Sequence, residues 1–406
     1  MSKVNQTLLT AIDLGSAKTC ALTAEITDSG LRYLGHGVCE SRGSRKGIIV
    51  DLEKAIASVQ KAVEQAEDVA GAPVERAVSG IAGAHIRGLN SQGGISLGSR
   101  AREISREDIR ASVDRARAMA LPPDRQILHL LPQEFILDEQ GGVNEPLGMM
   151  ATKLEVRVHI VTASSSATQN VVTTVNRGGV QVDDTIFEAL ADADAVLRSD
   201  ERELGVCLVD IGAGSTDMII IHEGAVIHTA CIPIGGDHFT NDVAVGMRTP
   251  LPEAEKIKKS FGHAVVTRIP ETNEIEVPSV GERPSRLMPQ RQLGEILEPR
   301  ARELFEIMRD HLRQSGVFEL CNAGFVLTGG GSKLNGMPEI SEQVLRKPIR
   351  YGLPMPISKM PASLVEPEYA TVIGSVLYAY RARQLRPANE NGLASRLKAI
   401  FARRDA

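Results

Sequence analysis

Two segments of the chain, about 200 positions apart, repeat one plan, and this duplication limits the possible folds more than any other feature. Each segment has an apolar strand that ends in Asp-x-Gly, a second apolar strand, a tight turn and a return strand. The first copy contains Asp13-Leu14-Gly15, and the second contains Asp210-Ile211-Gly212. The repetition predicts two related sheets, one in each of two lobes.

The residue types of the Asp-x-Gly turns suit a site for phosphate and metal. A buried strand that ends in Asp places a carboxylate at the sheet edge, and the glycines after it let backbone N–H groups approach an anion. Two facing carboxylates can hold Mg²⁺ through water, because Mg²⁺ keeps much of its hydration shell. One such turn would be an ordinary hairpin, but two in matching contexts favour a phosphate site. We predict that Asp13 and Asp210 hold Mg²⁺ and that these residues face the phosphates: Gly15, Ser16, Lys18, Gly212, Gly214, Ser215 and Thr216.

A third glycine-rich turn follows an apolar strand that begins near Phe325 and precedes a helix predicted around 340–345. Such a turn lets a ring or a phosphate approach the backbone, and the helix N-terminus favours anions. A dinucleotide fingerprint is excluded because 218–221 is β-rich rather than helical. A phosphate loop of the Gly-Lys-Ser/Thr type is excluded because the chain has no Gly-Lys pair. The third turn adds these residues to the predicted nucleotide site: Gly329, Gly330, Gly331 and Ser332.

Together these motifs resemble the superfamily of actin, Hsp70 and the sugar kinases. Residues 13–18 are similar to its first phosphate motif, 210–217 to its second, and 327–332 to its adenosine motif. Segments 188–193 and 369–376 resemble the two small-residue helices that cross between its lobes. Further stretches are similar to one branch, the FtsA family of actin-like bacterial cell-division proteins: 161–166, 200–206, 232–240 and 295–300.

The resemblance implies an α/β, two-lobed actin-like (ribonuclease H-like) fold with an inserted α+β subdomain in the first lobe. The predicted boundaries are 1–83 and 163–204 for the first-lobe core, 84–162 for the insert, 205–245 and 311–368 for the second-lobe core, 246–310 for its smaller module, 369–385 for the second crossing helix, 386–392 for a linker and 393–406 for an amphipathic helix.

Capping signals predict several helices. Asp51 begins one that ends near Gly71, and Pro252 begins another that ends at Gly262. In the insert, Ser105 and Asp108 form a capping box for a helix that Pro122-Pro123 stops. The insert is also expected to have strands at 134–137 and 154–160 and a glycine-rich hairpin around 93–98. That hairpin makes Ser96 a poor match to a hydrolase nucleophile, which needs a strand, a sharp turn and a helix.

The resemblance also implies roles for single residues. Gly235 and Gly236 are expected at the nucleotide, and Glu255 and Lys258 beside its ribose and adenine. For the last pair, a solvated helix face is the alternative. Glu188, at the start of the first crossing helix, is our candidate for orienting the water that attacks ATP, the alternative being a solvated or salt-bridged glutamate.

The function implied is that of an ATP-binding protein, with at most weak ATPase activity, which polymerises and tethers filaments of the tubulin-like protein FtsZ to the membrane. Its smaller module should receive the C-terminal tail of FtsZ near Arg300 and Glu303, and its insert should recruit other division proteins. An exposed, charged helix face is the alternative at Arg300.

A sugar-type kinase or a chaperone-like ATPase is the alternative function. The sequence offers no convincing catalytic base for the first and only a short tail after 369–385 for the second.

Composition bounds the partners and the compartment. A net charge of −5, a pI near 6.1 and the absence of Trp argue against nucleic acid. The five cysteines are scattered through apolar runs, as is typical of small core residues in a reduced compartment. Without a signal segment or an apolar run of roughly 18 residues, we expect a cytoplasmic chain with peripheral membrane contact.

The pattern of the C-terminal segment predicts the peripheral membrane contact. Leu393, Leu397, Ile400 and Phe401 are spaced to form one apolar stripe of a helix. A basic flank suited to anionic lipid comprises Arg396, Lys398, Arg403 and Arg404. The polar linker before it favours this prediction over a helix docked on its own domain, and a disordered tail is the other alternative. The expected location is the inner face of the cell membrane at the division site.

Overall fold

The computed structural model describes residues 7–281 and 283–384. The first lobe is built on a five-stranded sheet whose strand order is β13-β6-β1-β2-β3. Its elements before the insert are β1 (Leu8–Leu14), β2 (Lys18–Thr27), β3 (Gly30–Glu40), β4 (Ser44–Arg45), β5 (Ile48–Ile49), α1 (Leu52–Ala70) and β6 (Arg76–Ile81).

The insert consists of a four-stranded sheet in the order β10-β9-β12-β7, a two-stranded ribbon of β8 and β11, and one helix. Its elements are β7 (Arg87–Ser96), β8 (Arg102–Glu103), α2 (Arg106–Arg117), β9 (Arg125–Leu137), β10 (Gln140–Val143), β11 (Met150–Ala151) and β12 (Lys153–Ser164). The chain then returns to the first lobe through α3 (Ser165–Arg177), β13 (Gln181–Phe187) and α4 (Glu188–Val196).

The second lobe has its own five-stranded sheet and a smaller helical layer. Its elements are α5 (Ser199–Leu204), β14 (Val206–Ile211), β15 (Thr216–His222), β16 (Ala225–Ile232), α6 (Gly236–Met247), α7 (Leu251–Phe261), β17 (Glu274–Val277), β18 (Arg286–Pro289), α8 (Gln290–Gln314), β19 (Gly324–Thr328), α9 (Met337–Leu345), β20 (Ile349–Tyr351) and α10 (Ala370–Gln384).

The duplication seen in the sequence is confirmed by the two large sheets. The second sheet has the order β20-β19-β14-β15-β16, which repeats the order of the first. In each, the strand with the Asp-x-Gly turn pairs antiparallel with the next strand and parallel with a later one. Asp13 lies opposite Cys20, and Asp210 lies opposite Asp217. The predicted two-lobed α/β fold with an insert is therefore correct.

The two crossing helices, α4 and α10, pack closely between the lobes. A Cβ atom at Gly374 would lie 1.8 Å from the carbonyl oxygen of Ala191, so only glycine permits this approach. The helices share one apolar core with both sheets, which includes Leu22 of β2 and Leu208 of β14. The small residues predicted in these helices thus form the junction of the lobes.

The predicted helix ends hold with two shifts, the first being that α7 begins at Leu251, one residue before Pro252. Asp51 accepts a hydrogen bond from the Lys54 N–H, and the helix it begins ends at Gly71. Ser105 and Asp108 form the reciprocal capping box. However, α2 ends at Arg117, before the two prolines that were expected to stop it. The prolines lie in the loop to β9 instead.

One prediction for the insert is wrong. Residues 93–98 do not form a hairpin, because Gly93 and Gly94 belong to β7, which pairs along its whole length with β12. Glycine is needed at 93 because a Cβ there would lie 2.1 Å from the Ala116 amide nitrogen of α2. Ser96 is an exposed residue at the end of this strand, and the next helix, α2, begins only after β8. The hydrolase alternative therefore has no structural support at Ser96.

The insert contacts both lobes through polar side chains. His129 of β9 accepts a hydrogen bond from the Phe187 N–H, at the start of α4. His159 of β12 lies between Asn90 and the second lobe, with its Nδ1 2.7 Å from Asn90 Oδ1 and its Nε2 2.9 Å from Thr229 Oγ1. Gln133 also donates a hydrogen bond to the Val226 carbonyl of β16. The sequence did not predict this contact with the second lobe.

The buried His159 predicts an acid-sensitive stability. Burial, with a smaller contribution from His228, lowers the His159 pKa from 6.5 to about 3. Below pH 6.5 the unfolded chain binds a proton that the folded chain does not, so stability present above that pH is lost as the pH falls towards 3. We expect the unfolding free energy of the wild type to fall between pH 7.5 and 5 by about 2 kcal/mol more than that of His159→Gln. Urea unfolding at the two pH values measures this difference, and equal pH dependence of the two proteins would contradict it.

Two predicted elements lie outside the described residues, namely the linker at 386–392 and the amphipathic helix at 393–406. Among the residues that the structure describes, no helix has the length and apolar character needed to cross a membrane.

Candidate functional site

A cavity of about 550 Å³ lies between the lobes, where the three glycine-rich turns meet. The first two turns follow β1 and β14, and the third follows β19, the parallel neighbour of β14. Of the residues that the sequence predicts for the site, those that line the cavity are Asp13, Gly15, Ser16, Lys18, Glu188, Asp210, Gly212, Gly214, Ser215, Gly236, Glu255, Lys258, Gly329, Gly330 and Gly331.

The two phosphate-type turns touch each other through a short hairpin of the first lobe, β4 and β5. A Cβ at Gly214 would lie 2.6 Å from the Lys46 Cα and 2.8 Å from the Ser16 hydroxyl oxygen. That hydroxyl accepts a hydrogen bond from the Gly47 N–H at 3.2 Å. The missing side chain at 214 thus lets the lobes approach at this end of the cavity.

Acidic side chains crowd the cavity. Asp13, Asp210 and Asp217 are nearly fully buried. Burial raises the pKa of Asp210 to about 8, with Asp217 and Asp13 adding to the effect, and raises those of Asp13 and Asp217 to about 6. Burial also raises the pKa of Glu188 well above its usual value, and Asp13 and Asp210 raise it further. A bound cation would relieve this repulsion and favour the ionised carboxylates.

Glu188 occupies space that a glycine leaves open. A Cβ at Gly80, near the end of β6, would lie 2.6 Å from its Oε1 atom. Both residues line the cavity, and Glu188 is the first residue of α4. The Glu188 carboxyl therefore lies in the cleft rather than on an outer face of the helix.

Lys18 brings a positive charge to the acidic side of the cavity. Its Nζ atom is buried and has no hydrogen-bond partner among the residues of 7–281 and 283–384. The same atom lies 3.6 Å from the centre of the Tyr369 ring. Burial lowers the Lys18 pKa, whereas nearby Cys20 and Asp13 raise it.

The predicted pair Glu255 and Lys258 lies on α7, against the start of α6. Lys258 donates hydrogen bonds to the Gly236 carbonyl at 2.9 Å and the Thr240 hydroxyl at 2.7 Å, and it forms an ion pair with Glu255 at 2.6 Å. Its side chain is only 11% exposed. The alternative of a solvated helix face is therefore wrong for Lys258.

Three of the residues predicted at the nucleotide do not line the cavity. Thr216 is buried in β15 and donates its hydroxyl hydrogen to the Ile234 carbonyl, so it does not face a phosphate as expected. Ser332 is buried and donates to the Gly329 carbonyl within its own turn. Gly235 lies under the second turn, where a Cβ would be 2.6 Å from the Ala213 carbonyl oxygen. These residues support the turns on the side away from the cavity.

Other charged residues of the cavity were not predicted. Asp217 is the last residue of the second motif, and its position opposite Asp210 in the strand register could have revealed it. Lys333 and Glu368 lie at the third turn, where the Lys333 ammonium is 3.6 Å from Glu368 and 3.1 Å from Glu366. No local pattern brings these segments together. The cavity wall that the sequence missed includes Gly47, Gly80, Asp217, Asp237, Lys259, Lys333, Asn335, Glu368 and Thr371.

Arg300 and Glu303 lie on α8, away from the cavity. Arg300 forms a two-pronged ion pair with Asp242 of α6, with N–O distances of 2.6 and 3.1 Å, and also pairs with Glu303. Its side chain is 26% exposed. Arg300 therefore joins two helices of the second lobe and remains partly open to solvent.

Matching sheets, crossing helices and a glycine-lined cleft define an actin-like protein. A family model described as "Cell division protein FtsA" matches residues 207–374, and one described as "SHS2 domain inserted in FTSA" matches 83–162. The chain is 44% identical over 372 residues to cell division protein FtsA of Pseudomonas aeruginosa, covering 91% of this chain and 89% of the relative. It is 35% identical over 379 residues to FtsA of Escherichia coli, covering 91% and 90%. The chain belongs to the FtsA family of cell division proteins.

Solved structures share the fold at low sequence identity. A PilM-PilN type IV pilus biogenesis complex has a TM-score of 0.66 at 14% identity, with 93% of this chain and 99% of that chain covered. MreB5 of Spiroplasma citri bound to ADP has a TM-score of 0.53 at 13% identity, covering 93% and 98%. A MamK double helical filament has a TM-score of 0.51 at 12% identity, covering 92% and 98%.

Proposed function

We propose that this chain binds ATP with Mg²⁺ in the cleft, polymerises, and tethers FtsZ filaments to the inner face of the cytoplasmic membrane at the division site. The observation that carries the proposal is the meeting of three glycine-rich turns and two duplicated aspartates at one cavity. The nucleotide-bound MreB and the MamK filament support it by analogy of fold.

The residues present fit Mg²⁺ and a polyphosphate. Asp13 and Asp210 would hold the metal, because a cation offsets the burial that raises both pKa values and the repulsion from Asp217 and Asp13 that raises the pKa of Asp210 further. The N–H donors of Lys18, which have no partner in the described part of the chain, and the backbone of the glycine turns suit phosphate oxygens. Lys258 and Glu255 would contact the ribose and adenine. Bound Mg²⁺ would neutralise phosphate charge, and Glu188 would orient the water in a slow hydrolysis.

Membrane attachment is assigned to the C-terminal segment, whose residues lie outside those described. Its apolar stripe and basic flank are expected to bind anionic lipid weakly in a single chain. In a filament many weak anchors act together through their effective concentration. Other division proteins would dock on the insert, which is the family's own added domain.

A vesicle experiment tests the membrane assignment. The intact chain should sediment with vesicles of anionic phospholipid more strongly with Mg²⁺·ATP than without it, because filament formation multiplies the anchors. A chain truncated after Arg386 should stay in the supernatant in both conditions. A variant with Leu397 and Phe401 replaced by alanine keeps the basic flank and is expected to behave like the truncated chain. Equal sedimentation of intact and truncated chains would contradict the assignment.

The FtsZ tail is assigned to the surface around Arg300 and Glu303. Arg300→Glu should reduce binding of an FtsZ tail peptide by about tenfold, as expected for a charged contact at the rim of an interface. Because this change also breaks the pair with Asp242, Asp242→Asn is the matched control. It breaks the same pair but leaves the arginine charge available, and we expect it to retain binding. Equal losses in the two variants, measured by fluorescence anisotropy, would place the tail elsewhere.

A further inference from the structure

Tyr369 lies directly before α10 and faces the one lysine of the first phosphate turn. Its ring centre is 3.6 Å from Nζ of Lys18. Lys18 lines the cavity, whereas Tyr369 does not, so the ring contacts the ammonium from outside the ligand space. Lys18 belongs to β2 of the first lobe, and Tyr369 follows the second-lobe sheet, so the contact joins distant parts of the chain.

The chemistry of this contact differs from that of an ion pair. The face of an aromatic ring attracts an ammonium but offers no lone pair to its N–H groups. Consistent with this, the buried Nζ has no hydrogen-bond partner among the described residues. A carboxylate in place of the ring would occupy those donors and hold the side chain. The charges of Asp13 and Glu368 act on Lys18, but neither side chain accepts a hydrogen bond from its ammonium within the described chain.

We propose that Tyr369 is a positioning residue for Lys18, which keeps the ammonium in the cleft with its donors free and so favours phosphate-bearing ligands over the bare nucleoside. The inference rests on the proposed nucleotide function and extends it to a residue outside the cavity wall. Its consequence is specific: the ring stabilises binding only through the lysine, and only when the ligand carries phosphate.

A double-mutant cycle tests the inference by calorimetry with Mg²⁺·ATP and with adenosine. Tyr369→Leu should weaken ATP binding roughly tenfold and leave adenosine binding within about twofold, because only phosphate contacts Lys18. Tyr369→Phe keeps the ring and should bind ATP within about twofold of wild type. In a Lys18→Met background, adding Tyr369→Leu should have no further effect. Tyr351→Leu, on β20 and outside the cavity wall, controls for loss of a tyrosine.

The possible outcomes distinguish failure of this inference from failure of the proposed nucleotide function. A wild-type chain that binds no ATP would refute the proposed function and the inference with it. A wild type that binds ATP, with Tyr369→Leu unchanged, would refute the inference alone. If Tyr369→Leu weakened the binding of ATP and of adenosine equally, Tyr369 would only support the fold. The same conclusion would follow if the losses of ATP affinity in the Lys18 and Tyr369 variants were additive in the double mutant. Thermal unfolding of each variant identifies any that are misfolded. If Tyr369→Leu is misfolded, Tyr369→Phe decides, because loss of ATP binding in a variant that keeps the ring would refute the inference.

Discussion

Replacing Asp13 or Asp210 with alanine is expected to weaken binding of Mg²⁺·ATP by roughly 100-fold, comparable to the loss when a metal site is damaged. In EDTA the same variants should bind ATP no more weakly than wild type, because removal of a carboxylate also removes its repulsion of the phosphates. Calorimetry with Mg²⁺ and with EDTA measures both effects.

Asp192→Asn is the matched control for these variants. Asp192 is as buried as the two predicted metal ligands, but it does not line the cavity and accepts a hydrogen bond from Thr371 at 2.8 Å. Asparagine can keep that bond, so Mg²⁺·ATP affinity should stay near that of wild type. Unchanged affinity in Asp13→Ala and Asp210→Ala would remove the metal assignment from both residues.

Replacing Gly374 with alanine should lower the free energy of unfolding by about 3 kcal/mol, through overpacking of the α4–α10 contact. Glycine to alanine in an open helix position normally stabilises by about 1 kcal/mol, so the expected sign is reversed here. The reason is the Ala191 carbonyl, a backbone group that cannot move without shifting α4. Urea unfolding measures the change.

Gly246→Ala provides the comparison for this change. Gly246 is also in a helix, α6, but a Cβ there would meet the Cδ1 atom of Ile296, which is the end of a flexible side chain. We expect this variant to stay within about 1 kcal/mol of wild type. If Gly374→Ala were as stable as Gly246→Ala, the tight junction of the crossing helices would not be needed for stability.

The sequence by itself determined the features that depend on neighbouring residues. The Asp-x-Gly turns at Asp13 and Asp210, the cap at Asp51 and the capping box at Ser105 each combine residues only a few positions apart, so a local pattern reveals them. Duplication of the first two patterns was enough to predict two matching sheets. The same local logic failed at Gly93, because an alternating run is compatible with either a hairpin or one long strand until its partner, β12, is known.

The tertiary structure alone decided which distant groups share a space. Gly80 leaves room for Glu188, Gly214 meets Lys46, Tyr369 covers Lys18, and Arg300 pairs with Asp242. None of these pairs has a spacing that a helix or a strand would make regular. Their contacts arise when separate elements pack, and packing depends on the volumes and angles of the whole core rather than on any one segment. For the same reason the sequence predicted that Thr216 faces the phosphates, whereas the strand register turns its hydroxyl to the Ile234 carbonyl.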